Sequence, residues 1–182
     1  MQISEGDCCE MRRTARSRGA VGQNAILPRF ISEIPALKKH LILDFGCGPT
    51  AMHVEMLRSR GYEFVYGCDL SEIENPNYIH PDESAIPWHL VYASNVLNVQ
   101  PSLTALRCTM CKISDLIRYG VAYLSYPKSP RKLGIDVDEM KDHLTPFFKA
   151  VTHFKYKNTV IFKCTGKKCE LMLEEGLTPI FR

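Results

Sequence analysis

The stretch Leu41-Ile-Leu-Asp-Phe-Gly-Cys-Gly-Pro-Thr50 decides the reading of this chain. Leu41 to Phe45 is an apolar run broken only by Asp44, the pattern of a strand buried on both faces. Gly46-Cys47-Gly48-Pro49-Thr50 then turns the chain. A helix is predicted from about Pro49 to Arg60, with Ala51, Val54 and Leu57 inward and Gly61 just past its end. "YEFVYGCDL", 62 to 70, is a second strand ending at Asp69. Strand, helix and strand make a βαβ unit, so a right-handed crossover and a parallel pair are expected. A phosphate-binding P-loop would end in Gly-Lys-Ser/Thr, which is absent. The dinucleotide fingerprint G-x-G-x-x-G is incomplete, because Gly48 is followed by Pro, Thr and Ala. Two glycines still let backbone approach a ligand closely, and a carboxylate about twenty residues on can hold ribose hydroxyls. A nucleoside without pyrophosphate is the expected ligand, a plain strand-to-helix corner the alternative.

Outward from this unit, the alternation of element types continues. "WHLVYASNVLNV", 88 to 99, is a strand-like run, and Ser102 caps a long helix whose buried stripe is Leu103, Leu106, Met110, Ile113, Leu116 and Ile117, with Gly120 as its end. "VAYLSYP" is the next strand, followed by a helix from about Asp136 to Lys149 with Val137, Met140, Leu144 and Phe148 inward. "VTHFKYKNTVIFKCT" reads as two strands joined at Lys157-Asn158. The fold class is α/β: a Rossmann-like, doubly wound, mostly parallel sheet ending in an antiparallel β-hairpin. Residues 25 to 40 predict short helices against the sheet edge, and residues 1 to 24 a flexible or ligand-ordered basic arm. The expected organisation is one domain: residues 1–40 as arm and short helices, residues 41–182 as the ligand-binding body.

The 182 residues are 45% hydrophobic and 24% charged, ordinary for one globular domain, and a net charge of +3 neither demands nor excludes a nucleic-acid partner. Arg12, Arg13, Arg16 and Arg18 are where such a partner would be met, a solvated basic tail being the alternative. No apolar run reaches the roughly 20 residues that span a bilayer, and the start lacks a secretory h-region, so a cytoplasmic protein without a membrane partner is expected. Among eight cysteines, Cys108/Cys111 and Cys164/Cys169 are spaced for a four-thiolate zinc site. The favoured reading is buried, reduced thiols and no metal, because the first pair lies inside a helical pattern. A zinc-stabilised nucleic-acid-binding protein is the third-ranked function.

"LDFGCGPT" followed by "GCDL", and then "ASNVLNVQPS", resembles the S-adenosylmethionine (SAM) site of class I methyltransferases over roughly Leu41 to Pro127. The resemblance implies a SAM-dependent methyltransferase. It puts Asp44, Gly46 and Gly48 at the methionine end, Asp69 at the ribose and Asn95 to Asn98 toward the reacting centre, with Cys47 and Leu70 also among the cofactor-binding residues. Asn95, Asn98 and Tyr126 are the candidate catalytic residues, with Asn95 also on the cofactor side; Lys128 and Arg131 follow Tyr126 at the same sheet edge. His53, one turn into the first helix, is a surface or satisfied histidine. Many such enzymes carry a further helix and strand where only Ser71 to Pro87 intervene here. This shortening displaces the usual adenine-pocket acid, for which Asp82 or Glu83 are candidates. The short link, "VLNV" and the upstream "TARSRG" are also similar to methyltransferases proposed from genes beside DNA phosphorothioation genes and in phages. "SNVL" departs from the Pro-Pro-aromatic motif of amino-methylating DNA enzymes, and the loop lacks the Pro-Cys of cytosine-C5 enzymes. The methyl acceptor is left open between nucleic acid and small molecule. The alternative function is a non-catalytic SAM-binding protein that regulates a partner or sequesters the donor.

Overall fold

The computed structural model describes residues 3–16, 25–70, 76–80, 86–117, 119–127 and 132–168. Six strands form one sheet: β1 (Ile42–Phe45), β2 (Val65–Cys68), β3 (Leu90–Ala93), β4 (Val121–Pro127), β5 (Phe148–Tyr156) and β6 (Thr159–Lys167). Their order is β2-β1-β3-β4-β6-β5. The first four are parallel, whereas β6 runs antiparallel to both β4 and β5. The expected doubly wound sheet with a terminal hairpin is therefore the observed one, and its turn is at Lys157-Asn158, where Lys157 takes φ 53°.

Alternation along the strands builds two apolar layers. Leu43, Val91, Ala93, Ala122, Leu124 and Phe162 face α4 (Leu103–Leu116) and α5 (Val137–Leu144). Ile42, Val65, Leu90, Tyr92 and Ile161 face α2 (Ile26–Ser32) and α3 (Met52–Ser59). The short helix predicted at the sheet edge instead lies over a sheet face. Leu27 and Ile31 of α2 are fully buried there, and Phe30 packs edge-on against Tyr123 and Tyr156. The link after β2 supplies the remnant of a further strand: Tyr78 forms a single parallel bridge with Gly67, and Ile79 N–H donates to Gly67 O at 2.9 Å.

Several element ends differ from expectation for local reasons. α3 starts at Met52, not Pro49, because Gly48 (φ 73°) and Ala51 (φ 45°) both adopt left-handed backbone. β3 stops at Ala93, because Asn95 turns to φ 60° and a 3-10 turn follows at Leu97–Val99. α5 ends at Leu144, since Pro146 cannot donate a helical bond, and Phe148 is buried as the first residue of β5. The capping box at its start is formed by Asp136 and Glu139. Leu103 is 48% exposed at the first position of α4, outside the buried stripe, while Ser102 caps that helix through the Ala105 N–H.

The largest departure is at the N-terminus, where an arm was expected. Residues Glu5–Arg16 form α1. Ser4 Oγ accepts from Asp7 N–H at 3.1 Å, a side-chain N-cap, and Ile3 and Cys8 on either side of it join one small apolar cluster. That cluster includes Met11, Leu70, Ala105 and Cys108, so α1 lies against α4. Ser102 Oγ donates to Asp7 Oδ2 at 2.6 Å, and Lys132 pairs with Glu10, adding polar ties at both sides of the helix.

Gly120 was read as a helix stop, but its role is close approach. A Cβ there would lie 2.3 Å from Trp88 O and 2.7 Å from His89 O, both backbone atoms that the β3–β4 pairing holds in place. Gly120→Ala is expected to cost about 1–3 kcal/mol of unfolding free energy. Urea denaturation measures this, and a change within about 0.5 kcal/mol would show that the approach is not rigid.

Candidate functional site

A cavity opens at the C-terminal ends of β1, β2 and β3, where a parallel α/β sheet offers its ligand crevice. It encloses about 750 Å³ including its mouth. Its floor is the turn after β1, with Phe45, Gly46 and Gly48, and the end of β2, with Cys68, Asp69 and Leu70. One wall is the loop after β3, with Ser94, Asn95, Val96 and Val99; Gln100 and Thr109 close its far side. Met11, Thr14 and Ala15 of α1 cover it.

The floor is held by backbone. Gly46 N–H and Cys47 N–H both donate to Cys68 O, at 2.8 and 3.1 Å. Gly48 N–H donates to Asp69 Oδ2 at 2.8 Å. Gly46 sits at φ 80°, and a Cβ on it would fall 2.6 Å from Val96 Cγ2, so the turn and the β3 loop meet where only hydrogen fits. Asn95 takes φ 60°, a left-handed conformation asparagine tolerates, and its N–H is held by Ser125 Oγ at 3.0 Å. Ser94 Oγ is buried with no hydrogen-bond partner among the described residues, and Ser94 lines the cavity.

Of the residues singled out in the sequence, Gly46, Gly48, Asp69, Leu70 and Asn95 are brought together around this cavity. Cys47 is 1% exposed and turned into the layer under α3, and burial pushes its thiol well up. Asn98 is buried with Oδ1 lacking a partner among the described residues, and it is not in the cavity lining. Tyr126 is 1% exposed, and its hydroxyl donates to Ile135 O at 2.8 Å, so it too is outside the lining. His53, expected at the surface or satisfied, is buried on α3. Lys128, Arg131, Asp82, Glu83, Arg18 and Cys169 lie outside the described residues, as does the side chain of Arg16; Arg12 and Arg13 are exposed on α1. The described cysteines are free thiols, and no group of three or more metal-ligating side chains occurs among the described residues.

Sequence reasoning missed Met11, Thr14, Ala15, Gln100 and Thr109. A signal for α1 was present: the Ser4-x-x-Asp7 cap and the Cys8, Met11, Ala15 spacing of one helical face. Gln100 and Thr109 carry no such signal, since they meet only after α4 folds back.

Asp44 lies behind the floor, 1% exposed, with the Tyr92 hydroxyl facing its carboxyl. Burial, with the nearby Asp69 charge adding to it and Tyr92 opposing it, raises its pKa to about 8. Unfolded, it titrates near the ordinary value of about 3.9. Between these values the folded state binds a proton the unfolded state lacks, so this group's contribution to stability falls as pH rises toward about 8 and then levels. Asp44→Asn is expected to remove that component, gaining stability relative to wild type, on the order of a few kcal/mol, between about pH 5 and about pH 8.5. Urea unfolding at the two pH values measures it; a difference independent of pH would contradict the assignment.

No family model matches the chain, and no curated protein matches its sequence. Solved structures do match. Magnesium protoporphyrin IX methyltransferase from Synechocystis PCC 6803, with bound SAM, aligns over 91% of this chain and 100% of its own, at 16% identity and a TM-score of 0.53. A proposed S-adenosyl-L-methionine-dependent methyltransferase of Methanococcus maripaludis aligns over 94% and 98%, at 14% identity and 0.54. Burkholderia thailandensis 1,6-didemethyltoxoflavin-N1-methyltransferase, with bound S-adenosylhomocysteine, aligns over 80% of each chain, at 14% identity and 0.51. At these identities the likeness is one of fold, and the six-stranded sheet with its antiparallel β4-β6-β5 end is the Rossmann-like fold of these methyltransferases.

Proposed function

We propose that the chain is a SAM-dependent methyltransferase whose donor lies over the Gly46–Gly48 turn. The observation that carries this is the bond from Gly48 N–H to Asp69 Oδ2 at the floor of this cavity. It sets a carboxylate beside turn backbone that lines the cavity, as a ribose diol next to a compact, phosphate-free group requires. In this reading Asp69 and Leu70 meet the ribose, and the Gly46–Gly48 backbone meets the methionine end. Asn95 faces the methyl group. Asn98 and Tyr126, away from the cavity, position the β3 loop and β4. The fold shared with methyltransferases solved with SAM or S-adenosylhomocysteine supports the same donor.

Methyl transfer is an in-line displacement: the acceptor's lone pair forms a bond to the methyl carbon as the sulfur–carbon bond breaks, leaving a neutral thioether. Positioning and exclusion of water supply much of the rate. Among the described lining residues the ionisable groups are Asp69 and the Cys68 thiol, the latter pushed up by burial. An acceptor that attacks before it loses a proton fits this lining, and in this reading Asn95 orients it. The same scarcity of a base favours a second reading, a donor-binding protein without transferase activity. The narrower likeness to methyltransferases associated with DNA phosphorothioation genes and phages rests on the short link, "VLNV" and "TARSRG" alone, and a nucleic-acid acceptor on the arginines of α1.

Calorimetry with S-adenosylhomocysteine tests the donor site. Asp69→Ala is expected to weaken binding at least about 100-fold, the loss of two hydrogen bonds to a charged group. Unchanged affinity in a folded variant would remove the assignment. Incubation of the wild type with methyl-labelled SAM and cell extract then separates the readings: label on an acceptor supports the transferase, and a bound but untransferred donor supports the binder.

A further inference from the structure

We propose that Gln100 reads the adenine edge of the donor, an inference that rests on the donor reading above. Gln100 is 4% exposed and lines the cavity. Its Nε2 donates to Val96 O at 2.8 Å, and its Oε1 accepts from Thr109 Oγ1 at 3.2 Å. A backbone carbonyl only accepts, so the Val96 bond fixes which end of the amide is nitrogen. Thr109, itself 2% exposed and also lining the cavity, locks the other end. Among the described residues these bonds use one N–H and one lone pair. They leave one donor at Nε2 and one acceptor at Oε1.

That pair is complementary to adenine, whose exocyclic amine donates and whose adjacent ring nitrogen accepts. The direction of the cavity agrees. Asp69 holds the ribose in the proposed donor site, and the next residue, Leu70, packs with Met11 of α1 and Ala105 of α4. A base extending past Leu70 enters the space between α1 and α4, which Thr109 and Gln100 close. Met11 and Val99 supply apolar lining there, as a flat ring with one polar edge needs. In the shortened link between β2 and β3, where the resemblance implies an acid for the adenine, Gln100 provides a neutral alternative from the following loop. Because the amide is locked, a hypoxanthine base, which carries an acceptor where adenine carries its amine, meets Oε1 with like polarity.

The experiment is calorimetry with two probes, S-adenosylhomocysteine and S-inosylhomocysteine. The wild type is expected to prefer the adenosyl compound by about tenfold or more. Gln100→Leu, which removes the amide, is expected to bring the two affinities within about threefold, and Thr109→Val, which removes one of the two bonds holding the amide while the Val96 bond stays, to narrow the preference part of the way. Thermal melts confirm folding of both, and Thr109→Val alone decides the matter if Gln100→Leu does not fold. A wild-type ratio near one, or a ratio retained in the variants, overturns the role of Gln100 while leaving the donor site intact. Failure of the wild type to bind S-adenosylhomocysteine at all overturns the donor reading, and this inference with it.

Discussion

Three hydrogen bonds from backbone N–H groups, two to a carbonyl and one to a carboxylate, tie the turn after β1 to the end of β2, and the rest of the site depends on them. Gly46 and Cys47 share the Cys68 carbonyl, and Gly48 reaches the Asp69 carboxylate. They hold the turn in a left-handed conformation that only glycine adopts without cost at Gly46 and Gly48. With the turn fixed, Val96 packs against the bare face of Gly46, and the loop after β3 is set at one distance from the floor. Cys47 is driven the other way, into the layer under α3, where Gly67 leaves room for its sulfur. One small constraint thereby separates the side that faces a ligand from the side that faces the core.

The second constraint is the cover. α1 is short and largely polar, so its attachment comes from a few contacts: Ile3, Cys8 and Met11 on Leu70, Ala105 and Cys108, with Asp7 and Glu10 tied to Ser102 and Lys132. An isolated helix of this length is marginal in water. Its stability is therefore that of its docking, and a ligand that adds contacts to Met11, Thr14 and Ala15 adds to it.

The parallel unit, the long helix after Ser102 and the closing hairpin were legible in the sequence, because each shows its period and its punctuation within one segment. Element ends were less so. Ala51 adopts left-handed backbone that no local preference announces, and Asn95 one that asparagine permits without requiring; they delay α3 and shorten β3. Gly120 resembled a helix stop, yet it serves the contact of two strands distant in sequence. In the site, the glycine turn and Asp69 were visible because their spacing follows from βαβ geometry. Gln100 and Thr109 were not, since an amide becomes a reading group only once a carbonyl and a hydroxyl from other turns have fixed it. The basic character of residues 1 to 24 masked the cap and apolar spacing that place Met11 over the cavity.

The central claim is that the turn after β1 and the helix above it enclose one ligand, the methyl donor. Amide hydrogen exchange with and without S-adenosylhomocysteine tests it most directly. The account predicts slower exchange on binding both at Gly46–Gly48 with Asp69–Leu70 and along Cys8–Ala15 of α1. Protection confined to the turn, with α1 exchanging as before, would contradict it.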